Sequence, residues 1–176
     1  MQTIRQASDC DIEAIAAIYG YHVRHGTASF ETEPPDRTEM MRRYRVLRDH
    51  AYPYLVAETD GAVLGYAYAG PYRTRVAYQN TVEDSIYVRA DLTGRGVGAQ
   101  LLSGLIAACE QRGYRQIIAV VGDSASIASV RLHERYGFSH IGTLRSVGYK
   151  HERWLDSVLL QRALGCGDST PPPPDR

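Results

Sequence analysis

The 176-residue chain is short of several things, and each shortage narrows what it does. It has no excess charge: Lys plus Arg is 20 and Asp plus Glu is 20. A nucleic-acid binder shows a basic surplus, so nucleic acid is not an expected partner. No apolar run approaches the roughly 18 residues of a membrane span. The opening "MQTIRQASD" has no apolar core of a secretion signal. Its three cysteines, Cys10, Cys109 and Cys166, are odd in number and far apart. They fit neither a disulfide framework nor metal-ligand spacing, so a reducing cytoplasm is expected and no metal. There is no internal repeat and no clear interdomain linker. One domain with a sizeable core is the expectation.

Tyrosine, by contrast, is abundant at 13. Ser8-x-x-Asp11 predicts a capped helix start, with Ile12, Ile15, Ala16 and Tyr19 at helical spacing. Residues 20–35 read as a loop closed by prolines, and Arg37–Arg48 as a second helix. "YLVAETDGAVLGYAYA" (54–69) predicts a hairpin about Asp60-Gly61. Strands are expected at 81–88, 116–121, 138–144 and 153–161, with another at 2–6. Helices are expected over 98–113 and 126–136, the latter stopped by Gly137. The order predicts a mixed α/β (α+β) domain with a mostly antiparallel central sheet flanked by helices. "CGDSTPPPPDR" reads as a tail that does not pack.

The stretch "LTGRGVGAQLL" (92–102) places three glycines before an apolar helix. Bare backbone N–H groups and the helix dipole make an anion site there, though the same pattern also serves as a plain tight connection. Ala99 and Gln100 stand where a nucleoside-triphosphate loop needs Lys and Ser or Thr. A dinucleotide site needs an acid about 20 residues on, where this chain has Tyr114. The pyrophosphate of coenzyme A needs the same cradle and neither of those residues.

Alternation along "TVEDSIYV" (81–88) puts Val82, Asp84, Ile86 and Val88 on one face and Glu83, Ser85 and Tyr87 on the other. A carboxylate beside Ser and Tyr in mid-strand is poorly explained by packing, unless that face is simply solvated. Arg73 and Arg75, two apart in "PYRTR", point the same way if extended. They then form either a fork for a carboxylate or ordinary surface charge. Phe30, Glu31 and Tyr78 are candidates to complete an acceptor pocket with them.

Together "FETEP" (30–34), "GPYRTRVAYQNTVEDSIYV" (70–88), "GRGVGAQLL" (94–102), "SVRLHERYGF" (129–138) and "GYKHERWLD" (148–156) resemble the GNAT acetyltransferase family. Within it they are similar to the phosphinothricin and methionine sulfoximine acetyltransferases. The resemblance implies a single acetyltransferase domain over residues 1–164 with a tail at 165–176, and a homodimer. It implies acetyl-CoA as co-substrate, held by Ser85–Val88, by Thr93, Gly94, Arg95, Gly96, Val97, Gly98 and Ala99, and by Ser126 and Ser129. Thr93 stands where the family commonly has Arg or Gln, and Ser126 where it commonly has Asn. The implied general base is Glu83, and the N–H groups near Ile86 and Val88 are the implied oxyanion donors. His133 occupies the place of a general acid, with Tyr87 and Tyr136 as rivals. Lys150, Trp154 and Asp156 read as structural or pocket-lining. The expected activity is acetylation of a small amino-acid-like amine. A CoA-binding sensor without turnover and a peptide N-terminal acetyltransferase are the alternatives.

Overall fold

The computed structural model describes residues 2–172. Seven strands share one sheet: β1 (Thr3–Gln6), β2 (Tyr54–Thr59), β3 (Ala62–Pro71), β4 (Thr81–Val88), β5 (Gln116–Gly122), β6 (Ser139–Lys150) and β7 (Arg153–Ala163). Their order is β1-β2-β3-β4-β5-β7-β6, with every neighbouring pair antiparallel except β4 and β5. The helices are α1 (Ile12–His25), α2 (Arg37–Asp49), α3 (Val97–Gln111) and α4 (Ile127–Arg135). This is the mixed α/β architecture that the element order predicts. No helix among the described residues is long and apolar enough to cross a membrane.

Local chemistry accounts for most boundaries. The Asp11 carboxylate accepts from the Ser8 backbone N–H at 2.7 Å and from its hydroxyl at 2.9 Å, which starts the first helix as expected. That helix does not stop at Gly20. Its apolar stripe runs on to Val23, which is fully buried, and overrides one glycine's weak preference. The chain leaves the helix at Gly26. Asp60 and Gly61 both take positive φ, 50° and 79°, as a tight hairpin turn requires. Strand β6 runs past the expected 144 to Lys150. Its register shifts between Leu144 and Gly148, and that break hides the second half from an alternation pattern.

Each face of the sheet carries its own core. Leu101, Leu102, Leu105, Ile106 and Cys109 of α3 pack on one face, against Val82 of β4 and Ile117 of β5. On the other face α1 and α2 cover Tyr54, Val56, Tyr66 and Tyr87. The tyrosine rings of β2, β3 and β4 stack there, with centroids 5.0 Å apart for Tyr54–Tyr68 and 5.3 Å for Tyr66–Tyr87. Strand β4 feeds both cores, because its side chains alternate.

One irregularity creates the site. Strands β4 and β5 pair only from Thr81–Gln116 to Asp84–Ala119, yet β4 continues to Val88 and β5 to Gly122. Beyond Asp84, β4 stays with β3 while β5 stays with β7. The two strands part and leave a cleft. Past β7, residues 165–170 form turns tied down by Arg115, which donates to the Gly167 and Pro171 carbonyls and the Thr170 hydroxyl. Part of the expected loose tail is therefore packed against the fold. The remainder, 173–176, lies outside the described residues.

Candidate active site

The parted strands open a cleft of about 980 Å³. At one end is the turn before α3. Gly94 and Gly96 hold φ of +78° and +84°, and a Cβ on either would meet nothing within 4 Å. Glycine is needed there for backbone conformation, not for room inside the protein. The first α3 bond runs from Gln100 N–H to the Gly96 carbonyl, so the N–H groups of Val97, Gly98 and Ala99 have no intrahelical acceptor, and no side chain caps them. Bare N–H groups at a helix start are the kind of group that suits an anion. Gly98 differs from its neighbours. It lies inside the helix, and its Cβ would touch Leu132 at 3.5 Å and Val88 at 3.7 Å, which is ordinary packing.

Thr93, Gly94, Gly96, Gly98 and Ala99 line the cleft, whereas Arg95 is exposed outside it and Val97 is buried beneath. The Thr93 hydroxyl turns back to the Ala90 carbonyl at 3.1 Å. Ser126 and Ser129 line the same end, and the Ser126 hydroxyl donates to the Gly122 carbonyl at 3.0 Å.

The middle of the cleft is β4 itself. Arg89 N–H donates to the Leu64 carbonyl of β3 at 2.9 Å. Alternation then turns the N–H groups of Ile86 and Val88 away from β3, into the opening. The Val88 carbonyl on that side accepts from His22 Nε2 at 2.8 Å when that nitrogen carries the proton. Glu83, half-buried, lines the cleft, and its carboxylate makes no hydrogen bond or ion pair among the described residues. Burial pushes its pKa up, and the neighbouring Asp84 adds to the rise. The Arg73 charge works against both.

Asp84 and His133 form a buried pair on the opposite face of β4, 6% and 4% exposed, with His133 Nε2 3.0 Å from Asp84 Oδ2. The other ring nitrogen lies 2.8 Å from the Ser129 carbonyl. A carbonyl only accepts, so Nδ1 carries a proton, and a proton on Nε2 as well makes the ring an imidazolium facing a carboxylate. Burial, the largest single influence, opposes that charge, but the hydrogen bond and charge of Asp84 together with the Ser129 carbonyl outweigh it, and the His133 pKa is raised. The second Asp84 oxygen is buried without a hydrogen-bond partner among the described residues. Tyr87 lines the cleft with its phenol held well above 10 by burial, while Tyr136 is not part of the lining.

At the far end Ser29, Phe30 and Tyr68 complete the wall. Glu31 does not. Its carboxylate is taken by Arg43 at 2.6 Å and by the Tyr19 hydroxyl at 2.8 Å. The arginine pair also departs from expectation. Strand β3 ends at Pro71 and the chain bends through residues 72–75, so the two arginines do not sit two apart on a strand. Arg73 lies over the Tyr72 ring at 4.4 Å. Arg75 is exposed, and its side chain makes no hydrogen bond or ion pair among the described residues. Tyr78 is edge-on to Tyr72, outside the cleft.

Sequence reasoning passed over Asp84, His22 and Tyr68. For Asp84 a signal existed: an acid on a strand face otherwise made of Val82, Ile86 and Val88 demands a buried partner. Nothing local points to His22, whose acceptor is 66 residues away.

The family profile described as Acetyltransferase (GNAT) family matches residues 15–138. A phosphinothricin N-acetyltransferase of Alcaligenes faecalis is 55% identical over 170 residues, covering 97% of this chain and 86% of that one. An L-methionine sulfoximine/L-methionine sulfone acetyltransferase of Pseudomonas paraeruginosa is 38% identical, covering 96% and 98%. The crystal structure of a GNAT superfamily phosphinothricin acetyltransferase from Sinorhizobium meliloti, in complex with acetyl-CoA, superposes with a TM-score of 0.96 at 42% identity, covering 99% of this chain and 94% of that one. The chain belongs to the GNAT acetyltransferase family.

Proposed function

We propose that the protein moves an acetyl group from acetyl-CoA to the amine of a small amino-acid-like acceptor, of the phosphinothricin, methionine sulfoximine or methionine sulfone type. The observation that carries this reading is one cleft with an anion cradle at one end and an unpaired, half-buried carboxylate toward the other, joined by outward-facing N–H groups of β4. The acceptor class is supported by the names of the relatives.

The bare N–H groups of Val97, Gly98 and Ala99, with the turn at Gly94 and Gly96, fit a pyrophosphate. Ser126 and Ser129 flank it, and Ser85–Val88 border the chain that leads inward. Bound there, acetyl-CoA supplies an activated acyl group and a thiol leaving group. Glu83 takes the proton from the acceptor ammonium, directly or through a water, because its raised pKa makes it a better base near neutrality. The N–H groups of Ile86 and Val88 donate to the oxygen that becomes negative. A thiol near pKa 8.5, as in cysteine, needs little help to leave. His133, whose proton affinity Asp84 raises, supplies positive charge near the leaving sulfur, and the Tyr87 phenol is the proton donor in the same wall. Arg73, whose charge reaches Glu83, meets an acidic group of the acceptor at the mouth.

A homodimer in the cytoplasm is part of the proposal. Edge strand β6 and its partner β7 expose Ile141, Val147, Tyr149 and Trp154, each more than half exposed, which is more apolar surface than an unpaired sheet edge ordinarily shows. The three cysteines form no disulfide among the described residues, as a reducing compartment keeps them. Sedimentation that finds only monomer at micromolar concentration would remove the dimer.

Thiol release from acetyl-CoA, measured across a panel of amino acids, their esters and short peptides, tests the activity. Turnover with the sulfoximine, sulfone or phosphinothricin, and little with peptides, is expected. Peptide turnover above that of every free amino acid would replace the acceptor class, and no release with any amine would sink the enzyme.

A further inference from the structure

Loop 26–31 leaves α1 and carries Ser29 and Phe30 into the far end of the cleft. Side chains from remote parts of the chain grip it. Lys150 Nζ, at the end of β6, donates to the Ser29 carbonyl at 2.7 Å. His151 Nε2 lies 3.2 Å from the Gly26 carbonyl. The Thr27 hydroxyl donates to Asp123 at 3.1 Å, and Asp123 also accepts from Arg153. The grips come from two turns, one after β5 and one between β6 and β7. His151 and Glu152, with φ of 50° and 59°, form the two-residue hairpin turn between β6 and β7, and Asp123 also takes positive φ, 70°.

Lys150 is the costliest part of this clasp. It is 5% exposed. A buried ammonium is rarely retained for packing, since a methionine fills the same space without losing hydration. The Phe30 ring is what the clasp places. It lies across Gly122 and Gly148; a Cβ on Gly122 would come within 2.9 Å of the ring, and one on Gly148 would also collide with it.

We propose that Lys150 is a positioning residue for acceptor recognition, acting through the Ser29 carbonyl to hold Phe30 across the acceptor end of the cleft. This rests on the acetyl-transfer reading above, and the test separates the two. In Lys150→Met, amide exchange of residues 26–31 should quicken by about tenfold or more, since a lost grip opens the loop locally. The acceptor KM should rise by about tenfold, with the acetyl-CoA KM within about twofold. Lys150→Gln, neutral but still a donor, should recover part of both. Gly148→Ala leaves the lysine in place and displaces the ring, so it should raise the acceptor KM alone. Unchanged exchange, or an equal rise in both KM values, overturns the proposal. If Lys150→Met does not fold, Gly148→Ala decides: an acceptor-selective defect supports the clasp, and a wild-type acceptor KM overturns it. A wild-type protein that acetylates no amine sinks the proposed function, and the clasp then stands or falls on the exchange rates.

Discussion

The two ends of the cleft are made of different material. The end proposed for the cofactor is backbone: a glycine turn, the start of α3 and the outward edge of β4. The end proposed for the acceptor is side chains: Ser29 and Phe30 of loop 26–31, Tyr68 of β3 and Glu83 of β4. Backbone recognition leaves a local mark, because bare N–H groups require glycines with positive φ and a helix that begins at a fixed distance. Side-chain recognition leaves none when its members meet across the fold. Lys150 and Ser29, at 2.7 Å, are 121 residues apart in the chain.

The largest expected effect lies where the two ends meet. Glu83→Gln keeps the shape and removes the proton acceptor, so kcat should fall by roughly 10²–10⁴-fold. The acetyl-CoA KM should hold, because no cradle group is touched. The deficit should shrink as pH rises and more acceptor arrives already deprotonated. Near-wild-type turnover at neutral pH would mean that the unpaired carboxylate is not the base.

The cofactor end is broken next. Gly96 holds φ of +84°, where a β-branched side chain is an outlier. Forcing it there costs about 1–2 kcal/mol, so Gly96→Val should weaken acetyl-CoA binding by roughly tenfold, with the acceptor KM unmoved. Gly98→Ala, two residues on, should do far less, since its Cβ finds ordinary contacts. Calorimetry on the two variants separates conformational need from motif membership. Equal losses would mean that crowding by the ligand, not backbone strain, governs the turn.

That contrast also measures how much was readable beforehand. The capping box at Ser8, the Asp60-Gly61 hairpin, strand 81–88 and the α3 start follow from short-range chemistry, and each stands within a residue or two of where the sequence predicts it. The first helix ran past Gly20 because buried Val23 outweighs a single glycine. At the site, the cradle and the face carrying Glu83 were legible. The Asp84–His133 pair was not assembled, although each half was visible, because nothing in the sequence says that α4 lies against β4. The arginines are not paired along a strand for a related reason: the same-facing reading needs a continuous strand, and β3 ends at Pro71.

The arginines sharpen the acceptor end by a smaller amount. Both are exposed, and solvated charge pairs contribute about 1 kcal/mol or less. Arg73→Ala should raise the acceptor KM by about fivefold or less, and Arg75→Ala should lie nearer wild type, since its charge does not figure at Glu83. The preference for a free acid over its methyl ester should weaken in the first variant only. A loss of two orders of magnitude in either would place the arginine in a dry pocket, and the segment after β3 would then have to close over the acceptor.

The smallest effect concerns stability, and it tests why Glu83 suits its task. Burial raises its pKa above the ordinary 4.5, so the folded protein keeps the proton to higher pH than the unfolded chain does. Between the unfolded and the raised folded value the folded state binds more protons, and stability therefore falls as pH climbs through that window. Above it the penalty is constant; below 4.5 it is absent, because both states are protonated. Glutamine never ionises. The melting temperature of Glu83→Gln should thus exceed that of the wild type at pH 7, and the gap should close as pH drops below about 4.5. Removing Arg73, whose charge opposes the rise, should widen the gap at neutral pH. Melting curves of the four proteins (wild type, each single variant and the double variant) across this range read the sign directly. Identical temperatures at every pH would mean that Glu83 is hydrated like a surface carboxylate, and a base poised by burial would lose its physical ground.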